Sequence, residues 1–346
     1  MTQTRAPLRV LAVTNMYPTP ADQAYGVFVA TQMESVAAAG VSVSIEFVNG
    51  RAGAWQYARG FWRVRQRVRK EKFDLIHAHY GLAGFLCLFQ PLPLVISFCG
   101  DDILGTPNAT GGLTTKSRLL RWLSYIGAFR ADAIICKSAE MRDALPRAHD
   151  RARAKVIPNG VDTERFNPGD RTAARRRLRI DLAQHLIMFP STPTERRKRL
   201  DLAEAAVGIL ISSGMNAKLW IVQGVPPADM PDCFRAADCV LLTSDWEGSP
   251  NVVKEAICCD VPVVSVNAGD VGDWIAMTPG CLLVSRDPCD IARGLEEVLT
   301  GPRHVDGAAV RRAMGLPGIA ERVIDVYRQV TGAERQQAGP TVHPVS

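Results

Sequence analysis

The sequence predicts an α/β protein made of two doubly wound, Rossmann-like domains that face each other across a cleft. Short apolar runs of strand length alternate with helical patterns through both halves of the chain, as in parallel sheets covered by helices. The length of 346 residues suits two domains of ordinary size, and a hydrophobic fraction of 47% suffices for sizeable cores.

Composition limits the classes of function. Because no run of eighteen apolar residues occurs, we expect no transmembrane helix, and the polar lead before Leu8 lacks a signal-peptide profile. The nine cysteines are scattered through apolar runs without a C-x-x-C pair, which favours reduced core residues in the cytosol over disulfides or zinc. The net charge of +6 permits an anionic substrate or membrane surface. We therefore expect a cytoplasmic protein.

The first domain is predicted to span residues 1–165. Its apolar runs predict strands at 8–14, 41–48, 73–76, 94–98 and 133–136. Its helical patterns predict helices at 27–39, 55–72, 116–130 and 139–145. Ser138 is the expected N-cap of the last of these helices.

Two features of this half are candidates for a ligand site. Gly26 lies where the first loop meets the first helix, so backbone can approach a ligand there, although turn geometry alone also explains it. His77 and His79 share one face of the chain after a strand, but no third metal ligand is apparent. We interpret the two histidines as cleft-lining or structural residues.

The helix at Trp55–Lys72 combines four aromatic residues with seven arginines and lysines. Such a helix can lie on an anionic membrane surface on the inner face of the cell membrane. It can equally be a surface helix that packs through its aromatic rings and solvates its arginines. Nucleic acid is not expected as a partner, because one basic helix without a known motif is thin support.

The second domain is predicted to span residues 166–318, followed by a helix at 319–330 that returns to the first domain and a disordered tail at 331–346. Strands are expected at 186–190, 217–223, 239–242, 261–266 and 281–284. Helices are expected at 200–212, 227–237 and 291–299. The basic run Arg171–Arg179 is expected to be a solvated helix face.

The turn at Ser249-Pro250 predicts the start of a helix, with serine as the N-cap and proline at the first helical position. The free N–H groups there would favour phosphate; they belong to Asn251, Val252 and Val253. Glu247 in the loop and Glu255 in the helix can accept hydrogen bonds from paired sugar hydroxyls. Together these groups indicate a sugar nucleotide, with ordinary capping as the plain alternative.

The loop Ser191–Arg199 carries three arginines and one lysine after a predicted strand. Cations at the carboxyl end of a strand are well placed to bind a diphosphate. The alternative is a solvated loop.

The segment from Glu247 to Ala256, followed by Val261-Pro262-Val263-Val264, resembles the E-x7-E signature of the family 4 retaining glycosyltransferases. The segment Lys155–Asp162 resembles that family's inter-domain segment, and the resemblance extends over roughly residues 8–330. It implies the GT-B fold and transfer of a sugar from a UDP- or GDP-sugar to a glycan or lipid-linked acceptor, without a metal or cofactor. Related sequences act in capsule, exopolysaccharide or teichuronic-type polymer assembly.

The resemblance also assigns residues to a donor half of the site. It implies Lys198 and Arg197 for the donor phosphates, with Arg196 as the alternative to Arg197. Glu247 would bind the donor sugar and Glu255 the ribose. The remaining donor residues would be Gly224, Gly248, Ser249, Asn251 and Val252.

The acceptor half would comprise Gly26, His79, Cys99, Asp101 and Asp102. Related enzymes usually carry histidine where this chain has Cys99, and a cysteine cannot supply a cationic imidazole. Asp101 or Asp102 would then provide part of the polar contacts in its place, or the two aspartates simply cap the turn.

Three other classes of protein are less consistent with the sequence. An epimerase of this architecture needs acidic acid/base residues around a hydroxyl, which are not evident. A two-domain sugar-binding protein without chemistry would be expected to be secreted. An NAD-dependent oxidoreductase would carry G-x-G-x-x-G after the first strand, and this chain does not.

Overall fold

The computed structural model describes residues 6–106, 112–191, 195–302 and 304–332, which form two compact units. Unit 1 contains the described residues up to Pro158 and again from Ile319, and unit 2 is Asn159–Gly318. The boundary predicted near Phe166 lies later than this division. The residues between Asn159 and Phe166 belong to unit 2 because Val161 donates its N–H to the carbonyl of Met314.

The described residues of unit 1 form a six-stranded parallel sheet with the order β2-β1-β3-β4-β5-β6. The strands are β1 (Arg9–Thr14), β2 (Ser42–Phe47), β3 (Leu75–His79), β4 (Leu94–Ser97), β5 (Ala133–Cys136) and β6 (Ala154–Val156). The helices are α1 (Val27–Ala38), α2 (Trp55–Lys70), α3 (Gly81–Leu86), α4 (Asp101–Leu104), α5 (Thr115–Arg130), α6 (Ala139–Asp143) and α7 (Ala148–Arg153).

The sheet of unit 1 is buried on both faces, so most residues of its central strands are apolar, although β3 also carries the buried His77 and His79. On one face, Ile76 and Ile96 pack in the cluster that holds Val64 of α2 and Ala128 of α5. Burial of each of these isoleucine and valine side chains contributes about 1.5–3 kcal/mol to the free energy of unfolding. Ser138 caps α6 as predicted, accepting the N–H of Met141.

The described residues of unit 2 form a five-stranded parallel sheet with the order β11-β10-β9-β7-β8. Its strands are β7 (His185–Phe189), β8 (Ala217–Ile221), β9 (Cys239–Leu242), β10 (Val263–Val266) and β11 (Leu282–Val284). Its helices are α8 (Arg171–Leu178), α9 (Leu200–Ser212), α10 (Met230–Ala236), α11 (Asn251–Cys258), α12 (Val271–Ala276), α13 (Pro288–Thr300) and α14 (Ala308–Met314).

The last helix, α15 (Leu316–Thr331), belongs to unit 1 from Ile319 onward. Its Tyr327 is fully buried, and the hydroxyl lies 2.6 Å from Nδ1 of His77 on β3. The predicted return of this helix to the first domain is therefore confirmed. The tail predicted from 331 lies outside the described residues, apart from Thr331 and Gly332.

Arg175 of α8 corrects the prediction of a solvated basic face. Its side chain is fully buried, and the guanidinium donates to Asp238 at 2.5 Å and to backbone carbonyls that include Ala236 at 2.8 Å. The charge is tolerated there because a carboxylate and several carbonyls satisfy its donors. None of the described helices is long and apolar enough to cross a membrane.

Candidate active site

The loops that follow β7 and β9 meet at the carboxyl edge of the unit 2 sheet. The two strands are neighbours, so their ends lie side by side. Thr243 donates its hydroxyl to the carbonyls of Lys198 and Arg199, at 2.7 and 3.0 Å. Asp245 donates its N–H to the carbonyl of Arg197 at 2.8 Å. The basic loop is thus held, through its backbone carbonyls, against the loop after β9 that contains Asp245 and Glu247, hereafter the acidic loop.

Glu247 is the centre of this site. Its carboxylate is buried and contacts Lys198 Nζ at 2.5 Å and an Arg197 guanidinium nitrogen at 2.9 Å. Ser244 donates its hydroxyl to the same oxygen that binds Lys198, at 2.8 Å. Burial by itself would raise the pKa of Glu247, but Lys198 and Arg197 outweigh burial and hold the pKa below its ordinary value. The residue is therefore ionised at neutral pH.

The cluster holds its two cations in place before any ligand binds. Arg197 also reaches the half-exposed Glu195 at 3.2 Å, and its guanidinium lies 5.1 Å from the centre of the Trp246 ring. Because both cations are fixed by a buried carboxylate, an incoming diphosphate need not order them. This is the chemistry expected of an anion site that stabilises developing charge.

The structure distinguishes the arginines of the basic loop, of which Thr192–Thr194 lie outside the described residues. Arg196 is exposed, and no hydrogen bond or ion pair of its guanidinium occurs in the described part of the chain. Arg197, not Arg196, reaches Glu247. Arg199 adopts a left-handed φ of 54°, which is uncommon for a residue other than glycine. Asp201 and Asp245 hold its guanidinium at 2.8 and 3.1 Å.

The predicted N-cap role of Ser249 is wrong. Helix α11 begins at Asn251, Pro250 occupies the N-cap position, and no side chain caps it. Ser249 instead donates its hydroxyl to Asp270 at 2.7 Å and lies 3.0 Å from Lys254 Nζ. The hydroxyl donates to the Asp270 carboxylate and its oxygen accepts from the Lys254 ammonium, so charged tertiary partners take the place of the helix amides.

The N–H groups at the start of α11 were predicted to be free, and this is so for two of the three. The N–H of Val253 bonds to the carbonyl of Pro250 at 3.3 Å. For Asn251 and Val252, no acceptor of the backbone N–H occurs among the residues described. Two of the three amides are therefore open to an anion.

Lys254 is a buried residue of this site that the sequence did not single out. Its ammonium contacts the carbonyl of Asn159 at 3.1 Å as well as Ser249. It thereby joins the first residue of unit 2 to the acidic loop. Its neighbours Val253, Ala256 and Ile257 are buried too, so a lysine on the apolar face of a short helix was the available signal.

Gly269, in the loop after β10, is a further residue of this site. It has a φ of 63°, and a Cβ there would lie 2.8 Å from the carbonyl oxygens of Glu247 and Gly248. The loop after β10 can approach the acidic loop this closely only with glycine. Gly269 and the Ser249–Asp270 bond together fix the backbone around Gly248.

Glu255 lies partly buried on α11. Burial raises its pKa to about 7, although Lys254 and Arg165 oppose the shift. No hydrogen bond reaches its carboxylate from the rest of the described chain. The group is thus a carboxylate that would gain from hydroxyl donors. Gly224 follows β8 with a φ of 66°, and a Cβ at this position would meet no described atom within 4 Å.

In unit 1, Gly26 is the N-cap residue of α1 with a φ of 70°, and a Cβ would collide with the backbone of Met16 and Tyr17. Close approach of the chain to itself thus requires the glycine. His79 is fully buried, with its ring 4.1 Å from that of His77. Burial lowers the pKa of His79 well below its ordinary value. Both histidines lie within β3, beyond the predicted strand end.

Asp102 caps the turn after β4, as one of the two interpretations predicts. Its buried carboxylate accepts the N–H groups of Gly81, Cys99 and Gly100 at 2.9, 3.0 and 2.9 Å. Burial raises its pKa to about 6 in spite of these bonds. Asp101, the first residue of α4, is exposed. Burial also raises the pKa of the Cys99 thiol, which is therefore neutral.

Family models match both halves of the chain. The model described as Glycosyltransferase Family 4 matches residues 4–165, and the one described as Glycosyl transferases group 1 matches residues 210–313. The chain is 27% identical to D-inositol 3-phosphate glycosyltransferase of Geodermatophilus obscurus, over 82% of this chain and 72% of the relative. It is 22% identical to the putative teichuronic acid biosynthesis glycosyltransferase TuaC of Bacillus subtilis, over 86% of this chain and 90% of TuaC.

Solved structures share the fold. Sucrose-phosphate synthase from Thermosynechococcus elongatus has a TM-score of 0.77 and 17% identity, over 94% of this chain and 100% of that chain. Anabaena HepE in complex with UDP has a TM-score of 0.67 and 16% identity, over 93% of this chain and 100% of that chain. At these identities the likeness speaks for the fold alone.

Proposed function

The chain belongs to the family 4 glycosyltransferases and has the GT-B fold, and we propose that it transfers a sugar from a UDP-sugar with retention of anomeric configuration. The observation that carries the proposal is the ion-paired cluster that the buried Glu247 forms with the partly buried Lys198 and Arg197 at the strand ends of unit 2. UDP is favoured over GDP because Anabaena HepE, a protein of similar fold, binds UDP.

In the proposed reaction, the bond between the anomeric carbon and the diphosphate oxygen breaks as the acceptor oxygen bonds to that carbon. The acceptor hydroxyl gives its proton to an oxygen of the departing nucleoside diphosphate. Lys198, Arg197 and the amides of Asn251 and Val252 stabilise the negative charge on the leaving group, so no metal is needed in this scheme.

Glu247 positions the donor sugar in this scheme. A carboxylate has about four acceptor sites. The oxygen that contacts Lys198 also accepts from Ser244, so its sites are filled, whereas the oxygen bound to Arg197 keeps one. One sugar hydroxyl that donates a hydrogen bond to that oxygen would fill the last acceptor site of the carboxylate. Glu255 accepts the ribose hydroxyls.

We also propose that the acceptor is a glycan or lipid-linked saccharide used to build a cell-surface polysaccharide. The similarity to TuaC supports this role. Helix α2 would bind an anionic membrane surface, because Trp55 and Trp62 are 52% and 65% exposed beside solvated arginines. The other aromatic residues, Tyr57 and Phe61, pack on the core of unit 1.

The decisive experiment incubates the protein with UDP-, GDP- and ADP-sugars and measures nucleotide release and thermal stabilisation. We expect stabilisation and slow release with UDP-sugars, lost in Lys198→Ala and kept in Lys218→Ala, an exposed lysine on β8. If no nucleotide sugar stabilises the fold, or if both variants behave alike, the donor assignment fails.

The membrane proposal has its own test. Vesicles with acidic lipids should carry the protein upward in a density gradient at low salt. The double variant Trp55→Ala/Trp62→Ala should stay behind, while the control Ile211→Ala, at an exposed apolar residue of α9, should float. Flotation of all three, or of none, would rule out α2 as the contact.

A further inference from the structure

Two polar side chains at the carboxyl edge of the unit 1 sheet are buried and have no hydrogen-bond partner among the described residues. His79 ends β3 and is 0% exposed, and within the described chain neither ring nitrogen has a hydrogen-bond partner. Lys137 directly follows β5 and is 1% exposed, and its ammonium also lacks a partner there. In the sheet register His79 lies beside Ser97 of β4, and Ser97 lies beside Ile135 of β5, so the side chains of His79 and of Lys137, two residues after Ile135, are on the same face of the sheet. Cys99 follows β4, the strand between them.

An unpaired buried lysine requires an explanation. The ammonium has three donors and no acceptor, so burying it without a partner costs more than burying an apolar side chain. Burial lowers the pKa of the Lys137 ammonium, and the Asp102 carboxylate opposes this shift. Its oxygens already accept three backbone N–H groups. Asp102 therefore offsets part of the charge but does not satisfy the donors.

The position of His79 at the end of β3 favours a ligand. The strand order reverses between β1 and β3, and ligands of doubly wound sheets bind beyond the strand ends at such a reversal. Tyr80, the residue after His79, has a φ of 81°, which is strained for a side chain of this size. Strain of this kind is concentrated where the backbone must present groups to a ligand.

We propose that Lys137 and His79 form an oxyanion site, in which the ammonium and one imidazole N–H bind a phosphate or carboxylate group of the acceptor substrate. The positive charge that Cys99 cannot supply then comes from Lys137 on the neighbouring strand. Assigning the oxyanion to the acceptor rests on the proposed transfer reaction, whereas the oxyanion site itself does not.

The test is calorimetric titration with inorganic phosphate in a Lys198→Ala background, which weakens the donor-side anion site. Adding Lys137→Met should weaken phosphate binding roughly 10- to 100-fold, the effect of losing one charge-assisted hydrogen bond. Lys137→Arg should keep most of the affinity. The matched control Lys155→Met changes an exposed lysine on β6 and should leave phosphate affinity unchanged.

Equal phosphate affinity in the Lys137→Met and Lys155→Met proteins would overturn the proposal, as would no phosphate binding in the Lys198→Ala background. If Lys137→Met does not melt cooperatively, Lys137→Gln takes its place in the comparison. Acetate titrated in a second arm distinguishes a carboxylate from a phosphate ligand. UDP binding to the wild-type protein is measured in parallel: its absence would refute the proposed function and leave the phosphate result standing.

Discussion

Donor affinity should depend on pH through Glu255. With a pKa of about 7, the carboxyl is ionised in about a tenth of free molecules at pH 6 and about nine tenths at pH 8. Only the ionised form accepts two ribose hydroxyls, so the affinity for a UDP-sugar should rise about tenfold over this range. UDP-glucose is the suitable probe, because its diphosphate does not titrate in this window.

Calorimetric titration at several pH values measures the effect. Glu255→Gln should bind UDP-glucose weakly at every pH, without the rise. The matched control Glu204→Gln, at an exposed position of α9, should keep the rise. A flat profile in the wild type, or the same slope in Glu255→Gln, would refute the assignment of Glu255 to the ribose.

The same pKa has a consequence for the stability of the free protein. The folded carboxyl keeps its proton up to about pH 7, whereas the ordinary value is 4.5. Between these values the folded state binds the extra proton, so stability falls as pH rises, by at most about 3 kcal/mol. Above about pH 7 this contribution is constant. Urea unfolding at successive pH values, compared with Glu255→Gln, measures it.

Three further changes have expected outcomes. Glu247→Gln should lower turnover at least about tenfold while the protein still binds UDP, because the nearby cations remain but lose their fixed geometry; steady-state kinetics and UDP titration separate the two effects. Gly269→Ala should destabilise the fold by more than Gly214→Ala, whose Cβ would meet no described atom within 4 Å, and the difference in melting temperature measures the contact with the acidic loop. Arg175→Met should lower the free energy of unfolding by about 1–3 kcal/mol in urea unfolding, since Asp238 loses one of its two arginine partners and buried carbonyls such as that of Ala236 lose their donor.

The fold class followed from local sequence patterns. Helix α9 and strands β5 and β9 begin and end where the apolar periodicity predicts them. Short helices without a strong pattern, α7 and α14, were not predicted, because six or seven residues do not establish a helical period. Motif resemblance and residue type were enough to predict that the acidic loop and the basic loop belong to one donor site.

Their direct contact needed the tertiary structure. Lys198 and Glu247 are separated by 49 residues, and they meet because β7 and β9 are neighbours in the sheet. The choice of Arg197 over Arg196 depends on the short helical turn of the loop, which aims one guanidinium at the carboxylate. Neither relation is encoded in a local pattern.

The sequence by itself determined the alternation of strands and helices and the residue types of the proposed donor site, because apolar periodicity and motif spacing are local properties. Only the tertiary structure decided which polar groups are buried and with whom they pair. Ser249 bonds to Asp270, 21 residues away, and not to the helix it precedes. Arg175 belongs to a basic run that the local pattern assigns to solvent, and it is buried, as is Lys137. Their burial depends on neighbouring elements, since desolvation and pairing arise only where the chain packs against itself.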